Sequence, residues 1–406
     1  MLDYSQILSE RVQTVKPSGI RKFFDLAAGM KDVISLGVGE PDFETPWQVR
    51  RAGITSLEKG RTFYTSNWGL QQLRDEIAGL ALRRYDLFYD PQDEILVTVG
   101  GSEAIDNALR ALVSPGDEVL IPEPCFVCYT PLTMLAGGTP VPIQTVVEEG
   151  FKLTPERLRA AITPKTKALI LPYPNNPTGA IMNRAELEAI ADVLRDTNIV
   201  VISDEIYCML TYQGEHVSFA QIDGMRERTI VVDGFSKSYA MTGWRLGWAM
   251  GPREIMKQIC KTHQFGIMCA PTTAQFAGIE AIRTGDDDIV HMRSQYDIRR
   301  RFLVSELRSM GLECFEPHGA FYVFPSIKST GLSSEEFCSR LLQEQHVAVV
   351  PGDAFGASGE GHVRISYSYS MNHLREACRR MRVFLESLRC IRSLRNPPQG
   401  SFLSPK

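Results

Sequence analysis

Through the middle of the chain, short apolar blocks alternate with segments whose apolar positions recur at helical spacing. Residues 94–100 (EILVTVG) read as a buried strand; a glycine turn follows, and then Ala104, Ile105, Ala108, Leu109 and Leu112 mark one face of a helix. Further apolar runs at 118–122, 168–172, 199–203, 229–233 and 246–250 predict strands. Between two of them, Asn183 with Glu186 three residues on gives a helix start of capping-box type, and Leu187, Ile190, Ala191 and Leu194 continue it at helical spacing. Strands apolar on both faces and separated by helices predict an α/β fold, with a mostly parallel sheet covered on both sides.

The last third changes character. Apolar positions at helical spacing from about residue 290 to 310 predict a long connecting helix. Short strands are expected around Cys314 and at 321–324, 347–350 and 362–367, then a closing helix over 372–388. This predicts a second, smaller α+β domain. Its expected limits are 291–390, after a large domain over 48–290 and an N-terminal segment over 1–47 that wraps onto the small domain or a partner. Residues 391–406, polar and proline-containing, are expected to be a disordered tail. A further helix beginning near Gly69 carries Leu70, Leu73, Ile77 and Leu80 on one face, which core or an interface would cover.

Composition narrows the class. The chain has 406 residues, 44% hydrophobic and 23% charged, with a formal charge of -4. That balance, without a basic run, argues against a nucleic-acid or membrane-surface partner. The polar start lacks the apolar core of a signal peptide, and no apolar run approaches the ~18 residues of a membrane span. Nine irregularly spaced cysteines suit a reducing cytoplasm better than a disulfide framework. Cys125 and Cys128 have C-x-x-C spacing, but no second pair or nearby histidines accompany them, so they read as core fillers and no metal is expected.

The chemistry begins at Ser236-Lys237-Ser238, just after the predicted strand 229–233. A lysine beside a buried strand end is disfavoured as an ammonium, and such lysines serve as nucleophiles that form Schiff bases. Eight residues on, Arg245 lies in GWRLG, where flanking glycines let a guanidinium approach an anion. The turn Gly100-Gly101-Ser102-Glu103 offers free amides at a helix start, a seat for phosphate. It is not a G-x-G-x-x-G dinucleotide fingerprint, which counts against a nicotinamide dehydrogenase.

The segment SKSYAMTGWRLG (236–247) resembles the lysine signature of the class I/II aminotransferases, pyridoxal-phosphate enzymes of fold type I. Other segments match that family in order over about residues 33–370. The resemblance implies a large domain with a seven-stranded sheet, pyridoxal 5'-phosphate as cofactor, and Lys237 as the residue that bears it as a Schiff base. It implies that Asp204 in SDEIY pairs with the pyridine nitrogen, with Glu205 a rival on type alone, and that Tyr207 and Asn176 (of YPNNPTG) contact the phenolic oxygen. Gly101, Ser102 and Glu103 would hold the phosphate through backbone contacts, helped by the Ser102 hydroxyl, Ser236 and Arg245. Phe126 would stack on the ring. Arg364, in HVRIS, would clamp the substrate carboxylate near Gly39, and Tyr64 would reach the phosphate of a neighbouring subunit, making a homodimer with shared sites.

The implied reaction moves an amino group from an L-amino acid to a 2-oxo acid, plausibly 2-oxoglutarate, by a ping-pong route, with Lys237 carrying the proton. The segment 18–23 (SGIRKF) looks like a branch with aspartate, aromatic and N-acetyl-diaminopimelate enzymes. A carbon–sulfur β-lyase would use the same Lys237, Asp204 and Arg245. A pyridoxal-phosphate-binding regulator would need a DNA-binding domain ahead of the matched region, where only ~30 residues stand.

Overall fold

A computed structural model describes residues 2–17, 19 and 29–395, and its largest element is one seven-stranded sheet. In chain order the strands of the protein are β1 (Ile34–Ser35), β2 (Ile95–Thr98), β3 (Glu118–Glu123), β4 (Thr139–Gln144), β5 (Thr166–Leu171), β6 (Val200–Asp204), β7 (Thr229–Gly234), β8 (Gly247–Met250), β9 (Tyr322–Val323), β10 (Val347–Ala348), β11 (Val350–Pro351) and β12 (Val363–Ser366). The large sheet runs β2-β8-β7-β6-β5-β3-β4. The pairs from β4 through β7 are parallel, whereas β8 is antiparallel to both β7 and β2.

The strands are apolar throughout because both faces are covered. Along β2, Leu96 packs with Ala104, Ile105 and Ala108 of the helix Gly101–Leu112, while Ile95 and Val97 join Leu73 and Ile77 of the helix Gln71–Tyr85 on the opposite face. Strands β5 and β6 divide likewise, with Ile170 and Ile202 on one side and Leu169 and Val201 on the other. Burying each such side chain fully contributes roughly 1.5–3 kcal/mol. The six strands predicted for this sheet are all present, within two residues at each end. The missed one is β4, whose sequence TPVPIQ contains Pro140 and Pro142. Proline cannot donate to a ladder, so its place at the sheet edge is the one it tolerates. The helix Arg184–Leu194 begins with the full capping box of Asn183 and Glu186.

In the last third the long helix runs Asp286–Ser309, starting four residues earlier than expected, and the closing helix runs Met371–Arg395. The two pack around Leu303, Leu307, Leu374 and Met381 together with β9 and β12. The strand expected around Cys314 is absent: residues 312–318 have no regular structure, and the Cys314 carbonyl accepts from Arg308 instead of a neighbouring strand. The tail expectation also needs correction, since the closing helix continues to Arg395; residues 396–406 lie outside the described part. Near the N-terminus, β1 pairs in parallel with β10, joining that segment to the C-terminal part. The segment 18–23, Gly19 excepted, lies outside the described residues.

One end of the large sheet collects the chemistry. The residues that follow β2, β3, β5, β6 and β7 all leave the sheet at its carboxyl edge, where open α/β sheets bind ligands. Because β8 runs the other way, the residues that precede it arrive at the same edge, with Gly247 paired to Thr98 and to Gly234. Gly247 is fixed by this packing: a Cβ there would stand 2.8 Å from the Gly100 carbonyl carbon and 2.9 Å from the Gly101 nitrogen, both backbone. Gly247→Ala is therefore expected to cost about 1–3 kcal/mol, since the two strand ends must separate. Thermal unfolding measures this, and an unchanged midpoint would contradict the close approach.

Candidate active site

Glu103 and Tyr64 excepted, every site residue singled out in the sequence lines one cavity of about 360 Å³ at that edge. Lys237 follows β7 in a tight turn, and its Nζ donates to the Gly39 carbonyl at 2.7 Å. Burial, and next the Arg364 charge, lower its pKa to about 8, against the opposing pull of Glu40 and Asp204. An amine so placed is available in its neutral, nucleophilic form near neutral pH.

Asp204 ends β6 and is buried. Its Oδ2 accepts from the Tyr129 hydroxyl at 2.7 Å and its Oδ1 from the Ile206 amide at 3.2 Å. Burial nevertheless raises its pKa, with those two bonds and Lys237 opposing. A cation on a ring held in the cavity would relieve that desolvation. Glu205, its rival, is turned away: its carboxylate accepts from Ser203, Ser218 and the Phe219 amide and meets His216 at 2.8 Å.

Arg364, on β12, is buried and reaches the cavity from the other side. It donates to Asn176 Oδ1 at 3.0 Å and to the Gly37 carbonyl, lies 4.5 Å over the Tyr322 ring, and leaves its Nε without a partner among the described residues. Among the described residues no carboxylate forms an ion pair with Lys237, Arg245 or Arg364. A buried guanidinium in that condition is costly unless an anion joins it. Asn176 is oriented by its neighbour: Asn175 makes the turn by accepting from the Thr178 amide and hydroxyl.

Arg245 occupies the left-handed region, φ 53°, which costs a non-glycine residue about 1–2 kcal/mol. That turn brings its guanidinium against Gly100, where an added Cβ would meet Nη2 at 2.7 Å. Beside it Gly101 and Ser102 open a helix, so amides, a hydroxyl and a guanidinium converge with Ser236 on one end of the cavity. Phe126 and Tyr207 supply flat walls; Tyr207 bonds the Tyr322 hydroxyl at 2.8 Å. The donor set therefore fits a flat, phosphorylated ring with an aldehyde near Lys237: a cation-rich cradle at one end, an acid at the ring, and an amine between.

Two residues stand apart. The Glu103 side chain turns beneath the cradle, so only its backbone amide remains at the helix start. Tyr64 is 81% exposed and outside its own chain's cavity. Reading the sequence missed Tyr129 and Tyr322. Tyr129 was within reach, three residues after Phe126 at the start of the helix Tyr129–Ala136; Tyr322 carried no local signal, and reaches Gly39 and Tyr207 only through the pairing of β9 with β12.

Comparison with known proteins gives a consistent picture. The family model for aminotransferase class I and II matches residues 31–381. An aspartate aminotransferase of Pyrococcus abyssi is 47% identical, over 92% of this chain and 97% of that protein. An aromatic-amino-acid aminotransferase of Thermococcus litoralis is 43% identical, over 95% of this chain and the whole of that protein. The solved structure of an aspartate aminotransferase from Thermus thermophilus with maleate superposes with a TM-score of 0.89 at 39% identity, covering 93% of this chain and 99% of that one.

The lowered pKa of Lys237 has a measurable consequence in the cofactor-free protein. Because the neutral amine is the reactive species, its rate of condensation with pyridoxal is expected to rise with pH through about 8 and level off above. A rise centred near the ordinary lysine value of ~10.4 would show that burial does not act on it.

Proposed function

The chain belongs to the class I and II aminotransferases, and on that premise we propose which of its residues perform the transfer and which molecules it serves. It is a pyridoxal-phosphate-dependent aminotransferase that moves an amino group from an amino acid to a 2-oxo acid. When bound, pyridoxal phosphate supplies an aldehyde and an electron-accepting ring. Lys237 Nζ would hold the aldehyde and, when free, would move the proton at the substrate α-carbon. Asp204, held by Tyr129, would keep a proton on the ring nitrogen. Asn176 and Tyr207 orient the phenolic edge, and Phe126 stacks on the ring face. Gly101, Ser102, the Glu103 amide, Ser236 and Arg245 seat the phosphate. Arg364 fixes the α-carboxylate with Gly39 beside it, so that the α-hydrogen faces Lys237. The observation that carries this assignment is a trio of cations around one buried acid, none of them ion-paired to a carboxylate among the described residues.

The wider reading is a homodimer. Tyr64 and Phe63, 81% and 80% exposed, and Phe265, 86% exposed, are large apolar side chains in the single chain. Tyr64 then reaches the phosphate seat of the partner, and the two sites are completed together. Residues 48–290 form the cofactor-binding domain and 291–390 the smaller one. Nine cysteines at irregular spacing agree with a cytoplasmic enzyme, and no described helix is long and apolar enough to cross a membrane. The donor is of aspartate, aromatic or diaminopimelate type, and 2-oxoglutarate is the acceptor; the relatives' printed names span aspartate and aromatic donors. They are aminotransferases, and nothing in the geometry favours the carbon–sulfur lyase.

A panel of amino donors tests the function. Each accepted donor should bleach the visible cofactor absorbance alone, and 2-oxoglutarate should restore it, with parallel-line kinetics. Pyruvate and ammonia released from cystathionine without an added oxo acid would overturn the transfer reading. Arg364→Ala should weaken donor binding by about 2–5 kcal/mol, as loss of a buried carboxylate partner does. An unchanged KM would place the carboxylate elsewhere.

A further inference from the structure

The phosphate seat has a support beneath it. Glu103 Oε2 accepts from the Val99 amide at 2.8 Å, and Oε1 takes Asn107 Nδ2 and lies 2.8 Å from His263 Nδ1. His263 belongs to the helix Arg253–Gly266, is fully buried, and has no hydrogen-bond partner at Nε2 among the described residues. Val99 immediately precedes the turn Gly100-Gly101-Ser102, whose first residue has φ +81° and lies against Arg245. Two adjacent glycines make a turn that is costly to order, and an unordered turn loses affinity for its ligand. Glu103 pins both ends of it, the Val99 side through its carboxylate and the helix side through its own backbone. A carboxylate in the first helical turn would otherwise compete with an incoming anion for the same positive end. Donors from Val99, Asn107 and His263 hold it below the turn instead.

We propose that Glu103 and His263 are positioning residues for the phosphate group: their pair fixes the 99–102 turn so that its amides face the cavity. This rests on the reading that Gly101, Ser102 and Arg245 seat the cofactor phosphate. Neither side chain lines the cavity, so the effect passes through the backbone.

The test follows cofactor loss from the holoenzyme on dilution into phosphate buffer, read by visible absorbance. It is run in parallel on enzyme reconstituted with pyridoxal, which lacks the phosphate. Glu103→Ala and His263→Ala are expected to release pyridoxal phosphate about tenfold faster and leave pyridoxal release unchanged, as loss of a buried hydrogen bond to a charged group would. Glu103→Gln, which keeps an oxygen for the Val99 amide, should restore most of the retention. Arg245→Gln serves as the control for the seat itself. Faster release in Arg245→Gln alone overturns the positioning role and keeps the seat, whereas phosphate-independent behaviour in all variants, Arg245→Gln included, removes the seat reading too. Equal acceleration for pyridoxal shows general loosening and overturns the proposal. If the alanine variants do not fold, His263→Gln and Asn107→Ala carry the same comparison, and their unchanged release overturns it.

Discussion

The site of this protein is arranged around positive charge that no carboxylate among the described residues pairs with directly. Lys237, Arg245 and Arg364 converge on one cavity with Asp204, and none is ion-paired to a carboxylate among the described residues. Each cation taken from water costs energy, the more so when buried. Arg364, buried on β12, bears most of that cost, whereas Lys237 is partly buried and Arg245 is exposed at the rim. Anions entering the cavity would complete the electrostatics.

The burial that makes the cations costly also tunes them. Desolvation, reinforced by Arg364, brings Lys237 down to about 8, so an appreciable fraction is neutral amine near neutral pH. The same desolvation pushes Asp204 upward, where Tyr129 and the Ile206 amide hold it back. An amine eased toward neutrality beside a carboxyl pushed upward is a pairing that a cation entering the cavity would shift.

Much of this was legible from the residues. The strands of the large sheet were readable because burial on both faces writes itself as continuous apolar runs, and Asn183 with Glu186 announced its helix. Lys237, Asp204, Asn176 and Arg245 were legible only as part of a motif set, since each alone is an ordinary residue of a loop or strand end. The parts that stayed hidden are those made by pairing distant segments. Edge strand β4 carries prolines that argue against a strand until its edge position is known. Tyr322 meets Tyr207 because β9 lies beside β12, and Glu103 turns from cradle to support because His263 arrives from a helix 160 residues later. No strand forms around Cys314, because Arg308 takes its carbonyl in place of a neighbouring strand.

The reversed strand β8 ties these observations together. In a wholly parallel sheet, residues preceding a strand lie at the end away from the ligand. Running β8 against its neighbours brings the segment before it to the carboxyl edge, and so delivers Arg245 to the turn after β2. Two devices make the delivery fit: Arg245 adopts the left-handed backbone that swings its guanidinium inward, and Gly247 lets the two turns touch backbone to backbone. Strain of about 1–3 kcal/mol at such a residue persists only where surrounding packing over-determines it. Here the packing is the same β2-β8-β7 core that positions Lys237, so the anion seat and the reactive amine cannot drift apart without unfolding the sheet between them.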